Sequence, residues 1–235
     1  QHEVTFEAEL CTYLEHCGWL YSPNDSGYDR QRALFPEDVY AWLEETGPAE
    51  WAKKTKPTST PQAQEKAKQS LLDRLVKVLD LPAPQGGALS VLRKGFKDTP
   101  ADFPRMLQKR PETVATQVVN DRYAANRLRV MRQVHYSTKH NNSIDLVLFC
   151  NGVPVATMEL KTDFTQSVHD AKLQYMHDRR PAAEPLLGFG TRALVQFGVS
   201  SEAAWRGTRP RGPTAALQPS HRARHRDARA RRTHR

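Results

Sequence analysis

The chain has 235 residues, 38% of them hydrophobic and 26% charged, with a pI near 9.6 and a formal net charge of +9. That balance fits a globular fold with a sizeable core, and the lack of any apolar run of about 18 residues argues against a membrane-spanning helix. The charge is uneven: residues 206–235 hold ten Arg, no Lys and one acid, Asp227, so this segment carries the whole +9, while the first 205 residues balance 25 basic against 25 acidic groups and make no electrostatic case for nucleic acid.

The start, Gln1-His2-Glu3-Val4, has no Met and no basic-then-apolar leader, so a secretory signal is not expected and the natural start is expected upstream. Cys11, Cys17 and Cys150 form no CxxC pair, which suits a reducing cytoplasm, and all three read as core residues. Phe6, Leu10 and Leu14 recur at helical spacing until Gly18. Pro36 opens a second helix to about Thr46. Residues 54–63 form a polar, Pro-rich connection. An amphipathic helix follows over about 62–80, with Leu71, Leu72, Leu75, Val76, Val78 and Leu79 near one face. Residues 82–87 stop it. Residues 88–98 suit a strand or a short helix, and 111–126 read as helical with Pro111 in the first turn.

From residue 127 the period changes. Residues 127–136 alternate charged or polar with apolar side chains, as in a half-buried strand. Residues 144–150 and 153–160 are β-rich and flank Asn151-Gly152, a strong hairpin signal. A helix is expected over 167–180 from Ser167, and a buried strand over 192–199. The organisation expected is a mainly helical portion over 1–126, an α/β core over 127–205, and an Arg-rich disordered tail over 206–235.

Three residues in the core draw attention to phosphodiester hydrolysis. That reaction needs a hard cation on the phosphate, an activated water and neutralisation of developing charge. Asp145 lies within the apolar run of 144–150. Glu159 and Lys161 end the next strand at i, i+2 and so share a face, and the Leu160 carbonyl is a further candidate metal ligand. A two-residue turn with a regular ladder would set Asp145 opposite Met158 and separate it from Glu159. A shared site therefore requires an odd loop, such as Cys150-Asn151-Gly152 with a left-handed Gly152, or a bulge. From the residues alone, a strand-end ion pair among Asp145, Glu159 and Lys161 fits equally well.

The run Asn142-Ser143-Ile144-Asp145-Leu146-Val147-Leu148-Phe149, then Asn151-Gly152-Val153-Pro154, then Glu159-Leu160-Lys161, resembles the N-terminal nuclease domain of the restriction (motor) subunit of type I restriction-modification enzymes. That domain belongs to the PD-(D/E)xK superfamily. Phe6-Glu7, Gly18-Trp19 and 132–136 are also similar, and the likeness spans roughly residues 3–211.

The resemblance implies a restriction-endonuclease-like mixed sheet flanked by helices. It implies that Asp145 and Glu159 bind Mg2+ and that Lys161 serves the water. It implies a following helix with a Gln-x-x-x-Tyr motif that positions DNA or couples nuclease to motor. Gln174 fits the glutamine, but Asp178 stands at the tyrosine position and Tyr175 is adjacent to Gln174 instead. On a helix, Gln174 is otherwise an ordinary surface amide. Double-stranded DNA is the implied substrate, the methylation and specificity subunits the implied partners of the full-length subunit, and the cytoplasm the implied location. The family's ATP-driven motor is expected to be missing, since this chain has no GxxxxGK[ST] loop.

The likeness stops near Arg211, and the tail beyond reads as an out-of-frame extension. Two other readings stay open: a stand-alone repair nuclease or resolvase of the same superfamily, and a non-catalytic remnant that binds nucleic acid through its arginines. Glu7 could approach the site but reads first as a solvated helix acid; Arg127, Arg129 and Arg132 could contact phosphates but fit charged edge positions as well; His135, His140, His169 and His177 read as surface or strand-edge groups, and the four Trp as packing residues.

Overall fold

The computed structural model describes residues 2–56, 58–82, 85–160, 184–188, 190–199, 203–207 and 218–222. Six helices and two sheets are present among them: α1 His2–His16, β1 Leu20–Ser22, α2 Pro36–Thr46, α3 Pro48–Thr55, α4 Pro61–Leu79, α5 Ala88–Lys94, β2 Phe96–Asp98, β3 Ala101–Phe103, α6 Gln117–Ala124, β4 Leu128–His135, β5 Ser143–Cys150, β6 Val153–Leu160, β7 Val195–Val199, β8 Ala203–Gly207 and β9 Gln218–Arg222. A single 3-10 turn, Pro185–Leu187, precedes β7.

The main sheet runs β1-β4-β5-β6-β7-β8-β9, and β2 pairs with β3 separately. It is mixed: β1 lies parallel to β4 and β6 parallel to β7, while the other neighbours are antiparallel. The α/β class expected from the sequence is the class observed.

Local chemistry accounts for the helix ends. Pro36, Pro48 and Pro61 each occupy a first helical position, where the missing N–H costs nothing. Thr60 caps α4 by accepting from the Ala63 N–H at 3.3 Å. Leu71, Leu72, Leu75 and Leu79 then form one buried stripe, which packs with Trp42, Trp51, Phe96 and Phe103 and with Cys150 and Val153 at the hairpin end. The helical portion thus closes over the turn end of the β5–β6 hairpin. A second cluster joins Tyr28, Phe35, Val147 and Phe149, and a third sets Cys11, Phe6, Leu10 and Leu14 of α1 against Val130, Leu146, Leu148 and Leu160.

Several expectations are corrected. The connection at 54–63 is shorter, since α3 ends at Thr55 and α4 starts at Pro61. Residues 88–98 hold both a helix and a strand, divided at Gly95 (φ +66), where a Cβ would lie 1.6 Å from the Phe103 carbonyl oxygen. The helix expected over 111–126 is only Gln117–Ala124, and Pro111 lies outside it. The preceding Thr116 is extended, and α6 buries none of its residues, so no packing extends it.

The strand expected over 192–199 starts at Val195, because Arg192 is wholly buried and turned to other work. Its guanidinium donates to the Arg32 carbonyl at 2.9–3.0 Å and to Asp80 at 3.0 Å. Within the stretch expected to be disordered, β9 pairs with β8. Main-chain pairing at a sheet edge asks little of side-chain pattern, and Pro219 in β9 is compatible with an edge strand. Cys11 and Cys150 are buried as expected, but Cys17 is exposed.

Candidate metal centre

The hairpin decides whether the two acids can meet. Cys150 pairs with Val153, so the loop is the two-residue turn Asn151-Gly152, with both residues left-handed at φ +49 and +80. The three-residue loop is therefore not formed. The ladder is nevertheless irregular: Phe149 faces Pro154, but Leu148 faces Ala156, which leaves Val155 as the extra residue of a bulge. Pro154 explains its position. An imino residue in a central strand donates no ladder hydrogen bond and is tolerated at bulges. Past the bulge Val147 faces Thr157 and Leu146 faces Met158. Continued by one residue, this register sets Asp145 across from Glu159.

The ladder ends at that point. Instead of a main-chain partner, the Leu160 N–H donates to Asp145 Oδ2 at 2.8 Å, so the Asp145 carboxylate is held between the two strands. Asp145 is half-buried, whereas Glu159 is only 1% exposed and faces Gly198 of β7. Lys161, and Gln174 and Tyr175 with the helix expected over 167–180, lie outside the described residues.

On the other flank of Asp145 stands β4. Gln133 Nε2 donates to Asp145 Oδ1 at 3.4 Å and to the Glu7 carboxylate at 3.4–3.5 Å, while Gln133 Oε1 accepts from Ser143 Oγ at 2.9 Å. Glu7 is not a solvated helix acid. It is buried and accepts from Arg132 Nε at 2.8 Å, an interaction that raises the Arg132 pKa, and Arg132 also donates to Tyr21 Oη at 3.3 Å. Gln133 lies in the segment 132–136 that shares the family likeness, but nothing there singles out its side chain. Glu7, one position after the apolar Phe6 on α1, is visible there but indistinct.

The other strand arginines are likewise engaged with carboxylates. Arg129 makes a two-pronged pair with buried Asp38 at 2.7 and 3.0 Å, and Arg127 approaches Glu45 at 3.6 Å. His135 Nδ1 lies 2.9 Å from Asp25 Oδ2. Trp42 and Trp51 are core residues. No helix among the described residues is long and apolar enough to cross a membrane.

Asp145 and Glu159, which the continued register sets opposite each other, offer carboxylate oxygens, and these suit a hard cation such as Mg2+. Among the described residues no three or more His, Cys, Asp or Glu gather as a complete metal cage. The set fits a cation that completes its shell with water and a phosphate, as Mg2+ commonly does.

No curated protein matches the chain. A family model described as Type I restriction enzyme R protein N terminus matches residues 11–213, close to the span of the resemblance seen in the sequence. With that match covering most of its length, the chain belongs to the family of type I restriction enzyme R protein N-terminal regions.

Proposed function

We propose that the chain is a Mg2+-dependent endonuclease unit that hydrolyses phosphodiester bonds of double-stranded DNA, with its centre at Asp145, Glu159 and Lys161. The observation that carries this reading is the bulge at Val155, which shifts the register so that its continuation one residue past the Leu146–Met158 pair would bring the two acids opposite each other. Family membership supports the restriction context and, with it, DNA as the substrate.

Bound Mg2+ would supply Lewis-acid stabilisation of the phosphate and a more acidic water. Asp145 and Glu159 would hold it, together with the Leu160 carbonyl. Asp145 keeps one oxygen fixed by the Leu160 N–H, so its other oxygen, Oδ1, is the one offered. Glu159, buried at the end of an apolar strand, places negative charge where few waters compete. Lys161, the next charged residue in sequence, would orient the water and offset charge on the phosphorane. Gln174 and Tyr175 would position DNA or couple the unit to the ATP-driven motor of a full-length subunit. The methylation and specificity subunits would select the target.

The test is cleavage of supercoiled plasmid with and without Mg2+, by the chain and by Glu159→Ala. Mg2+-dependent nicking that Glu159→Ala loses supports the proposal. Nicking retained in Glu159→Ala, or DNA binding with no cleavage under any divalent cation, rejects it.

A further inference from the structure

We infer that Gln133 is a positioning residue for the proposed metal centre: its side-chain amide bridges Asp145 and Glu7 and holds in place the Asp145 oxygen that faces the cation. The inference rests on the metal-centre reading above.

Gln133 is the odd residue of β4. Arg132 pairs with Leu146 and Val134 with Ile144, so the register is the same on both sides and no residue is inserted. Yet Gln133 has φ +47, in the left-handed region that a non-glycine residue seldom occupies inside a strand. Pairing is interrupted at this one place, directly across from Asp145. Backbone held in a sparsely populated conformation inside a well-packed sheet is a recurrent feature of functional sites.

The side chain has a defined orientation. Ser143 Oγ donates to Oε1, so the amide NH2 is turned the other way, toward two carboxylates. An NH2 has two hydrogens, enough for one to each acid. The opposite orientation would set Oε1 against two anions.

Charge gives the bridge its consequence. Glu7 is already balanced by Arg132, whereas Asp145 accepts from two neutral donors among the described residues, the Leu160 N–H and Gln133 Nε2. Among the described acids of this cluster, Asp145 is the one whose charge no described cation balances. Oδ2 is committed to Leu160, and Oδ1 can keep one lone pair on Gln133 and present the other. The distances of 3.4–3.5 Å are long for hydrogen bonds, as is common in sites that tighten when a ligand arrives. Groups that orient metal ligands in this way typically contribute about 10–100-fold in metal affinity.

The experiment is Mn2+ binding to the whole chain, read from the loss of the free-ion EPR signal, with Tm measured in parallel. The variants are Asp145→Asn, Gln133→Met, Gln133→Gly and Ser143→Ala. The expected result is one site lost in Asp145→Asn and weakened about 10–100-fold in Gln133→Met. Gln133→Gly should lose affinity equally while keeping or raising Tm, because glycine accepts the left-handed backbone. A merely structural role would instead lower Tm and leave affinity alone. Ser143→Ala, which frees the amide to turn, should weaken binding in the same direction by less.

Unchanged affinity in Gln133→Met, with the site still lost in Asp145→Asn, overturns the positioning role and leaves the metal centre standing. Binding unaffected by Asp145→Asn overturns both. Should Gln133→Met not fold, Ser143→Ala decides, and wild-type affinity there overturns the inference.

Discussion

Replacing Gly152 by alanine should be among the most damaging single-methyl changes in this fold. Gly152 is left-handed, and a Cβ there would lie 2.4 Å from the Phe35 carbonyl oxygen, 2.4 Å from Val39 Cγ2 and 2.8 Å from Val39 N. Two of these three are backbone atoms at the start of α2, which cannot swing aside. The Gly152 carbonyl also accepts the Phe35 N–H at 2.9 Å, so a retreat of the turn breaks that bond. The left-handed backbone costs an alanine roughly 1–2 kcal/mol. Forcing a methyl into packed surroundings typically adds about 1–3 kcal/mol. The combined loss of about 2–5 kcal/mol is a large part of the roughly 5–15 kcal/mol that holds a typical domain together.

Gly18 supplies the control. It is also left-handed, at φ +90, but a Cβ there would meet nothing within 4 Å, so Gly18→Ala should show the backbone cost alone. Urea unfolding followed by circular dichroism compares the two. Equal destabilisation in both, or a Gly152→Ala chain as stable as the parent, would refute the close approach of α2 to the turn.

Asp38→Ala removes the carboxylate that pairs with the Arg129 guanidinium and leaves that charge half-enclosed over the Phe35 ring beside the Ser22 hydroxyl; a loss of about 3–5 kcal/mol is expected in urea unfolding, with much of it recovered in Asp38→Ala/Arg129→Met. Burial alone would raise the Asp25 pKa, but the hydrogen bonds and charge of His135 outweigh it and lower the value from the usual 3.8. A lowered folded pKa gives stability that is complete above the usual value and lost as pH falls through it, so Asp25→Asn should flatten the acid limb of a Tm-against-pH curve below about pH 4. Burial pushes the Cys11 thiol up to about 11 and Cys150 up to about 12, while Cys17 is exposed. Ellman's reagent at neutral pH should therefore label one thiol in the native chain and three in urea; rapid labelling of all three without denaturant would contradict the packing of α1 and β5.

Much of the fold is legible in the sequence because hydrophobic period and helix-start chemistry are local. Pro36 and the Leu71–Leu79 stripe announce α2 and α4, alternation announces β4, and the β-rich runs flanking Asn151-Gly152 announce β5 and β6. Three-residue strands such as β1 and β3 are too short to show a period, and the partner of β1 lies far away in sequence. Arg192 reads as part of a strand because a buried arginine is recognisable only once Asp80 and the Arg32 carbonyl are beside it.

The site is legible in part. Asp145 and Glu159 stand out as acids inside apolar strands, and the need for an irregular hairpin follows from strand geometry. Of the two devices expected, an odd loop or a bulge, the bulge is the one formed: Asn151-Gly152 makes the tight turn it advertises, and the shift comes from the bulge beside Pro154. A proline in a central strand is a usable signal for that bulge. Asn151 also does more than turn the chain. Its buried side chain accepts from the Arg127 N–H at 2.6 Å and donates to the Met106 carbonyl at 2.8 Å, tying the hairpin to the helical portion. No pattern in the sequence joins those three positions. The same holds for Glu7 and Gln133: Glu7 reaches Gln133 through the packing of α1 on the sheet, and Gln133 reaches Asp145 across the β4–β5 pairing.

The most direct measurement is an anomalous difference map from crystals of the chain soaked in Mn2+. One peak within coordination distance of both Asp145 and Glu159 is expected, and its absence from crystals of Asp145→Asn. Peaks confined to other surface acids, with none at these two residues, would contradict a metal centre built by the bulged hairpin.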